Sequence, residues 1–240
     1  MNVLSLFTGI GGLDLGLQRA GMTIAGQVEI DPWCRKILAK HWPEVPRHDD
    51  VRTAAGWWGG RAAPDVVAGG FPCQPVSIAG QKKAQDDDRW LWPEMASVII
   101  RLRPAWVIAE NVPGLYWRGL PDVLRDFARA GYRTRTGILP ACAVGAPHPR
   151  SRVLILAHAK GLRCGTWSQE RQRQRETPSE ELEPARLSTA ADRPWSAEPD
   201  VGRVAYGIPS GMDRLRGLGN AVVPQVAEHI GRLIMTADAA

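Results

Sequence analysis

Short apolar runs alternate along the chain with stretches in which apolar residues recur at helical spacing. A β-prone run from Asn2 to Phe7 leads into a glycine-rich turn, and the helical pattern that follows ends at Gly21. A second strand is predicted over Thr23 to Val28, and Pro32 suits the first turn of a helix that extends to His41. The chain therefore begins with a βαβ pattern.

The same alternation continues to the middle of the chain. Further strands are predicted at Asp65 to Ala68, Ala105 to Ala109, Arg133 to Leu139 and Val153 to Ala157. Helical stretches are predicted near Trp92 to Leu102 and Leu120 to Ala130. This order predicts an α/β fold with a largely parallel sheet covered by helices on both faces. In such sheets a ligand lies beyond the carboxyl ends of the strands.

The pattern changes after His158. Up to about Gly202 the chain has few large apolar residues and many Arg, Glu, Gln and Ser, which indicates a loop-rich insert. Apolar helical spacing returns after Pro224, with one face formed by Val226, Ile230, Leu233 and Ile234. We therefore divide the chain into residues 1–158, an insert at 159–214 and a C-terminal part at 215–240.

Composition narrows the class of protein without choosing a function. The apolar fraction of 44% and the charged fraction of 23% are ordinary for a soluble globular protein. No run approaches the roughly 18 apolar residues of a membrane span, and the N-terminus lacks a signal pattern, so we expect a cytoplasmic protein with no membrane partner. The net charge of +5 is compatible with a polyanionic partner.

Four cysteines lie far apart and form no CxxC pair, so neither a disulfide framework nor a metal site is predicted. One of them, Cys73, stands in the segment GGFPCQPVS from Gly69 to Ser77, directly after an apolar strand. A proline-flanked loop at a strand end can fix a nucleophile beside a cofactor. The alternative is a buried structural cysteine, which is our interpretation of Cys34, Cys142 and Cys164.

A glycine-rich segment, FTGIGG, spans Phe7 to Gly12 at the end of the first strand. Its glycines allow the backbone to approach a ligand closely. The carboxylate of Glu29, about twenty residues beyond Gly9 and at the end of the second strand, can bind ribose hydroxyls. The alternative is a plain glycine turn with an exposed glutamate.

Another polar segment, Glu110-Asn111-Val112, follows the strand at Ala105 to Ala109. A carboxyl group that is partly desolvated there has a raised pKa and can donate a proton or a hydrogen bond to a ring nitrogen. The alternative is a helix N-cap with a solvent-facing glutamate.

The segment HPRSR, from His148 to Arg152, leads into the strand at Val153 to Ala157. Residues two apart on a strand point to the same side, so Arg150 and Arg152 are predicted to reach one anionic or base-bearing ligand. The alternative is a pair of ordinary surface arginines.

Taken in order, these segments resemble the DNA cytosine-C5 methyltransferase family. FTGIGG with Asp14 is similar to the family's cofactor loop, GGFPCQPVS to its catalytic loop and ENV to its catalytic glutamate motif, while Gly219-Asn220-Ala221-Val222 is similar to its closing motif. The resemblance covers Met1 to about His158 and Gly217 to Met235. It implies a Rossmann-like S-adenosylmethionine-dependent methyltransferase fold, in a compact member of the phage or restriction-modification type.

The resemblance implies that the cofactor is S-adenosyl-L-methionine. The residues it assigns to cofactor binding are Phe7, Thr8, Gly9, Ile10, Gly11, Gly12, Glu29, Ile30, Asp50 and Asn220. Among them Glu29 is the ribose ligand, Ile30 an adenine contact and Asp50 the residue that meets the adenine amino group. Asp49 is a rival for this last role.

The implied reaction is methyl transfer to a cytosine that is flipped out of double-stranded DNA. Cys73 is the nucleophile, Glu110 acts near the ring N3, and Arg152 and Arg150 complete the catalytic set. We assign DNA contacts to Gln74, Ser77, Arg171, Arg173 and Arg175. The insert at 159–214 then serves target recognition, while residues 1–158 and 215–240 form the catalytic and cofactor-binding part. We expect a monomer, with a cognate restriction endonuclease as a further partner.

Two features depart from the family's pattern. His148 stands where the family usually has Gln, and the segment between Arg152 and Gly219 is short for a target-recognition domain.

Three other functions stay open. GGFPCQPVS argues against a tRNA cytosine-C5 methyltransferase, and the presence of Cys73 and Glu110 argues against a catalytically silent DNA-binding relative. A nicotinamide-dependent oxidoreductase leaves PCQ and ENV unexplained.

Overall fold

Seven strands lie in the part of the chain that the structure describes, and most of them coincide with apolar runs of the sequence. The computed structural model describes residues 1–72, 90–159 and 211–239, including backbone but not every side chain of residues 211–216. Its strands are β1 (Asn2–Leu6), β2 (Thr23–Val28), β3 (Arg47–His48), β4 (Val66–Gly70), β5 (Trp106–Asn111), β6 (Tyr132–Leu139) and β7 (Arg152–Ala159). Apart from the two-residue β3, each strand overlaps a run that the sequence predicts.

The strands form one sheet in the order β3-β2-β1-β4-β5-β7-β6. The first five strands are parallel, whereas β7 runs antiparallel to both β5 and β6. The predicted largely parallel sheet is therefore confirmed, with one antiparallel strand, β7, between β5 and the edge strand β6. The strand β7 can run antiparallel to β6 because the two are joined by a segment that contains a short 3-10 helix, Ala141–Val144, in place of a crossover helix.

Helices connect the parallel strands and extend the C-terminus. They are α1 (Gly12–Arg19), α2 (Pro32–His41), α3 (Val51–Trp58), α4 (Trp92–Leu102), α5 (Leu115–Arg118), α6 (Leu120–Arg129), α7 (Gly211–Asn220) and α8 (Pro224–Asp238). The sequence does not predict α3, α5 or α7, and α7 spans the proposed boundary at residues 214/215. Within the described ranges, no helix is long and apolar enough to cross a membrane.

Side chains alternate between the two faces of the sheet and build two cores. On β5, Val107 and Ala109 face the core formed with α3, α4 and α6, whereas Trp106 and Ile108 face the core formed with α1 and α8. This alternation is the period expected of a strand that is covered on both sides. Because both faces of the sheet are covered by helices, a ligand reaches the strands from their ends.

A buried polar network joins β1, α1 and β2 beneath the glycine-rich segment. The Ser5 hydroxyl donates to one carboxylate oxygen of Asp14 at 2.6 Å, and the Gln27 side-chain amide donates to the other at 2.8 Å. All three side chains are fully buried. Burial raises the pKa of Asp14 to about 6, although the bonds from Ser5 and Gln27 act in the opposite direction.

We expect Asp14→Asn to remove one component of the pH dependence of stability. The folded-state pKa of Asp14 lies above its ordinary value of 3.8, so the folded protein binds more protons than the unfolded chain between about pH 4 and 6. The carboxyl group therefore contributes stability at low pH that is lost as the pH rises through about 6. The loss is on the order of 3 kcal/mol, and the asparagine does not titrate.

Urea unfolding of both proteins from pH 4 to pH 7 measures this contribution. The free energy of unfolding of the wild type minus that of Asp14→Asn should decrease across the range. Asp49→Asn, at an exposed carboxylate, is the control for removing a charge. If the difference in the free energy of unfolding between wild type and Asp14→Asn stays constant with pH, the pKa of Asp14 is not raised in the folded protein.

Candidate active site

The carboxyl ends of β1, β2, β4 and β5 open into a cleft of about 490 Å³. Of the residues assigned to a site from the sequence, those that line it are Phe7, Thr8, Gly9, Gly12, Glu29, Ile30, Asp50, Glu110, Arg152 and Asn220. The structure thus brings segments that are far apart in sequence to one edge of the sheet. Ile10, Gly11 and Arg150 lie beside the cleft residues and do not line it.

Six assigned residues fall outside the described part of the chain. They are Cys73, Gln74, Ser77, Arg171, Arg173 and Arg175. Their roles stay predictions. Pro72, which directly precedes Cys73, does line the cleft.

The glycine-rich segment bends at three positions with positive φ, which are Phe7 (51°), Gly9 (58°) and Gly11 (86°). A Cβ on Gly11 would lie 2.5 Å from the Trp42 ring, so this glycine allows close packing against the end of α2. A Cβ on Gly9 would meet nothing within 4 Å. Gly9 therefore exposes its backbone to the cleft, whereas Gly11 lies outside the cleft and packs against Trp42.

Backbone N–H groups hold the carboxylate of Glu29. Gly9 donates to Oε2 at 2.7 Å and Asp31 donates to Oε1 at 2.8 Å. The side chain is buried, so the alternative of an exposed glutamate is wrong. Each carboxylate oxygen has more than one acceptor position, so Glu29 can still accept hydrogen bonds from a ligand in the cleft.

The neighbours of Glu29 suit a nucleoside. Ile30 is 69% exposed although it is apolar, and it lines the cleft next to Glu29. Asp50 caps the N-terminus of α3 by accepting from the Arg52 backbone N–H at 2.9 Å, and Asp49 lines the cleft beside it. A fixed carboxylate, an exposed apolar side chain and a further acid fit a ribose diol and an adenine ring. The choice between Asp49 and Asp50 stays open.

A buried ion pair forms the other half of the cleft. Nε of Arg152, the first residue of β7, lies 2.8 Å from Oε1 of Glu110 near the end of β5. Burial raises the pKa of Glu110, and the positive charges of Arg152 and Arg150 partly oppose the shift. Glu110 is in a strand and only 7% exposed, so the alternative of a solvent-facing N-cap is wrong.

Glycine is required beside this pair. A Cβ on Gly70, at the end of β4, would lie 2.6 Å from Oε2 of Glu110. The absence of a side chain on β4 therefore leaves space for the carboxyl group. Gly70 belongs to the segment GGFPCQPVS, so the same segment that carries Cys73 also makes room for Glu110.

Asn111 has a role that the sequence interpretation missed. Its side-chain Nδ2 donates to the Phe71 carbonyl at 2.9 Å, and its Oδ1 accepts from the Val112 N–H at 2.9 Å. Asn111 therefore ties the end of β5 to the chain two residues before Cys73. The only signal in the sequence is an amide placed directly after Glu110 at the end of an apolar strand.

The two arginines of HPRSR diverge. Arg150 precedes β7 and has a positive φ of 26°, so the side alternation of a strand does not apply to it. Its Nη2 donates to the carbonyls of Gly219 at 2.6 Å and Ala221 at 2.7 Å, whereas Arg152 contacts Glu110. Arg150 is still near enough for its charge to act on Glu110, and its approach to the same ligand as Arg152 stays a prediction.

The other cysteines differ from one another. Cys34 is buried in α2, in agreement with a structural role. Cys142 is exposed, so the interpretation as a buried structural cysteine is wrong for it, because the 3-10 helix that carries it packs only part of its surface. Cys164 lies outside the described residues.

Known proteins with similar sequences are bacterial methyltransferases. The type II methyltransferase M2.BsuMI of Bacillus subtilis is 36% identical over 171 residues, which are 65% of this chain and 42% of the relative. M.NgoMIV of Neisseria gonorrhoeae is 34% identical over 159 residues, 64% of this chain and 50% of the relative. The chain therefore spans about half or less of the length of these curated relatives.

Solved structures agree with the fold. A proposed DNA modification methyltransferase encoded within an E. coli prophage matches with a TM-score of 0.59 and 28% identity, covering 69% of this chain and 49% of that one. The Dnmt2 methyltransferase of S. pombe matches with a TM-score of 0.58 and 25% identity, covering 75% of this chain and 57% of that one.

The family model described as C-5 cytosine-specific DNA methylase matches residues 1–198, which include the glycine-rich segment, Cys73, the Glu110–Arg152 pair and much of the insert. The match covers well over half of the 240 residues. The chain belongs to the C-5 cytosine-specific DNA methylase family.

Proposed function

We propose that this protein transfers a methyl group from S-adenosyl-L-methionine to cytosine C5 in double-stranded DNA, through a covalent intermediate with Cys73. The observation that carries the proposal is the buried Glu110–Arg152 pair, which shares one cleft with the glycine-rich segment and Glu29. One half of the cleft suits a nucleoside cofactor, and the other suits a polar heterocycle. Family membership supplies the class of reaction.

The glycine-rich half binds the cofactor. Glu29, fixed by two backbone N–H groups, accepts hydrogen bonds from the ribose hydroxyls. Ile30 packs against the adenine ring, and Asp50 or its neighbour Asp49 accepts from the adenine amino group. Asn220 closes the cleft from the side of α7. The bound cofactor supplies an electrophilic methyl group.

The other half activates the base. Cytosine C5 is a weak nucleophile, so the Cys73 thiolate first forms a bond to C6. Glu110 hydrogen-bonds the ring N3, and burial raises the pKa of its carboxyl group, which helps that group to hold the proton that it shares with N3 during the reaction. Arg152 fixes the position of the carboxyl group through the contact at 2.8 Å and faces the carbonyl side of the ring. C5 then takes the methyl group, and S-adenosylhomocysteine is the product that remains of the cofactor. A base removes the C5 proton, the electron pair of that C–H bond restores the C5–C6 double bond, and the bond between Cys73 and C6 breaks to release the thiolate.

The target base is reached by flipping, because cytosine C5 and C6 are inaccessible within stacked duplex DNA. The DNA contacts assigned to Gln74, Ser77, Arg171, Arg173 and Arg175 stay predictions. The curated relatives are type II methyltransferases, which favours a restriction-modification role with a cognate endonuclease. GGFPCQPVS favours DNA over tRNA as the substrate.

We expect Cys73→Ser to abolish methyl transfer, because a serine hydroxyl does not provide the thiolate that adds to C6. Bisulfite sequencing of plasmid DNA from cells that express each protein measures the activity and reads the target site. The wild type should protect cytosines at a recurring sequence, and Cys73→Ser should protect none.

The control for Cys73→Ser is affinity for S-adenosylhomocysteine, measured by calorimetry. Affinity should stay within about 3-fold of wild type, because the cofactor contacts lie on the glycine-rich half of the cleft. Substantial methylation by Cys73→Ser would rule out Cys73 as the nucleophile. If the wild type transferred labelled methyl groups to tRNA and not to duplex DNA, the substrate would be tRNA and the proposed DNA substrate would be wrong.

We expect Glu110→Gln to lower the single-turnover rate by about 100-fold or more, because the amide cannot exchange a proton with the ring and leaves Arg152 without its counter-charge. Rapid-quench measurement with saturating cofactor and duplex DNA gives this rate. Glu228→Gln is the matched control, since Glu228 pairs with Arg232 on the surface of α8 at 2.6 Å. A normal single-turnover rate in Glu110→Gln would exclude the role.

A further inference from the structure

Residues Gly219 to Val222, here called the closing turn, comprise the last two residues of α7 and the first two of the link to α8, and they line the cleft. The turn directly faces the glycine-rich segment, because a Cβ on Gly12 would lie 2.3 Å from the Val222 carbonyl oxygen. The spacing of these two backbone segments therefore sets the width of the cofactor half of the cleft.

One side chain from a distant part of the sequence holds this turn. Nη2 of Arg150 donates to the Gly219 carbonyl and to the Ala221 carbonyl, which are 69 and 71 residues further along the chain. The two acceptors bracket Asn220, the residue of the turn that we assign to the cofactor. Fixing both neighbours limits the backbone positions that Asn220 can adopt.

The backbone at Arg150 departs from ordinary geometry. Its φ of 26° lies on the left-handed side, which is unfavourable for a residue with a side chain. Such conformations persist where the surrounding contacts over-determine them. The two short hydrogen bonds to the closing turn and the start of β7 two residues later provide contacts of this kind.

We propose that Arg150 is a positioning residue that holds the closing turn against the glycine-rich segment and so places Asn220 in the cofactor half of the cleft. This assignment replaces a direct contact of Arg150 with the base. It rests on the proposed function in one respect, namely that S-adenosylmethionine is the ligand that Asn220 meets.

A double-mutant cycle tests whether Arg150 acts through Asn220. S-adenosylhomocysteine binding is measured by calorimetry for Arg150→Ala, Asn220→Ala and the double variant. Each single change should weaken binding by about 10-fold, the effect of losing one hydrogen bond to the ligand. The double variant should also lose about 10-fold, because the second change removes nothing further. A loss of about 100-fold in the double variant would overturn the proposal.

Arg150→Lys provides a rescue that separates positioning from ligand contact. Both bonds to the turn come from a single nitrogen, so the lysine ammonium, with three donors, can serve both carbonyls. We expect affinity within about 3-fold of wild type, whereas lysine is a poor substitute where arginine binds a base or phosphate bidentately. Failure of lysine to restore binding while the closing turn stays ordered would overturn the proposal.

Hydrogen exchange reports on the turn without any ligand. Peptides covering residues 217–223 should exchange faster in Arg150→Ala than in wild type, and Arg150→Lys should exchange as wild type does. Arg101→Ala, at an exposed arginine on the last turn of α4, is the control and should change nothing there. Unchanged exchange at the closing turn in Arg150→Ala overturns the proposal.

The same set of measurements distinguishes this proposal from the function on which it rests. A wild-type protein that does not bind S-adenosylhomocysteine would overturn the proposed cofactor, while hydrogen exchange would still decide whether Arg150 holds the turn. If the wild type binds S-adenosylhomocysteine and the losses of affinity in the cycle are additive, the proposed cofactor stands and the proposed role of Arg150 is overturned.

Discussion

The contact between Glu110 and Arg152 depends on one reversal of strand direction. The five parallel strands bring their carboxyl ends to the cleft, whereas β7 runs antiparallel beside β5 and brings its first residue there. In the register of this pair Leu154 lies opposite Glu110, and Arg152, two residues earlier on the same side of β7, lies diagonally across from Glu110 and contacts it. A parallel β7 would carry Arg152 to the opposite edge of the sheet. The antiparallel direction of β7 is therefore what brings Arg152 to Glu110.

A buried ion pair is an inefficient way to stabilise a fold, because removing both charges from water costs free energy that their attraction barely repays. The chain nevertheless places Glu110 and Arg152 at the mouth of a cleft, leaves β4 without a side chain at Gly70 to admit the carboxyl group, and ties Phe71 to Asn111. Glu29 is likewise held by backbone donors beneath an exposed Ile30. A role of these charged groups in the chemistry of the cleft explains the free-energy cost of burying them better than a role in stability does.

The regular elements were largely predictable because their signals are local. The bounds of β2 and α2 are those predicted, and α2 begins where Pro32 follows the capping Asp31. Other features were not predictable from local patterns. The antiparallel β7 depends on the path of a loop, and α3 is a short helix whose two tryptophans also suit a strand.

For the site, the sequence identified ten of the residues that line the cleft but not how they are held. Glu110 and Arg152 were assigned to one ligand, yet their direct contact spans 42 residues and depends on strand register. The bonds of Arg150 to the closing turn and of Asn111 to Phe71 also join distant segments. A long side chain can contact many different parts of a structure, so its partner is determined by the tertiary structure and cannot be read from the residues next to it in sequence.

A segment of three residues, Arg150 to Arg152, contacts both halves of the cleft. Arg150 contacts the closing turn on the cofactor side and Arg152 contacts Glu110 on the base side, with Ser151 alone between them. The position of this short segment is set by β7, which pairs along its length with β5 and β6. The backbone of this three-residue segment therefore supplies both guanidinium groups, one to each half of the cleft. The relative position of the two halves of the cleft therefore depends on β7, which is paired on both sides and whose register changes only if both ladders of hydrogen bonds break.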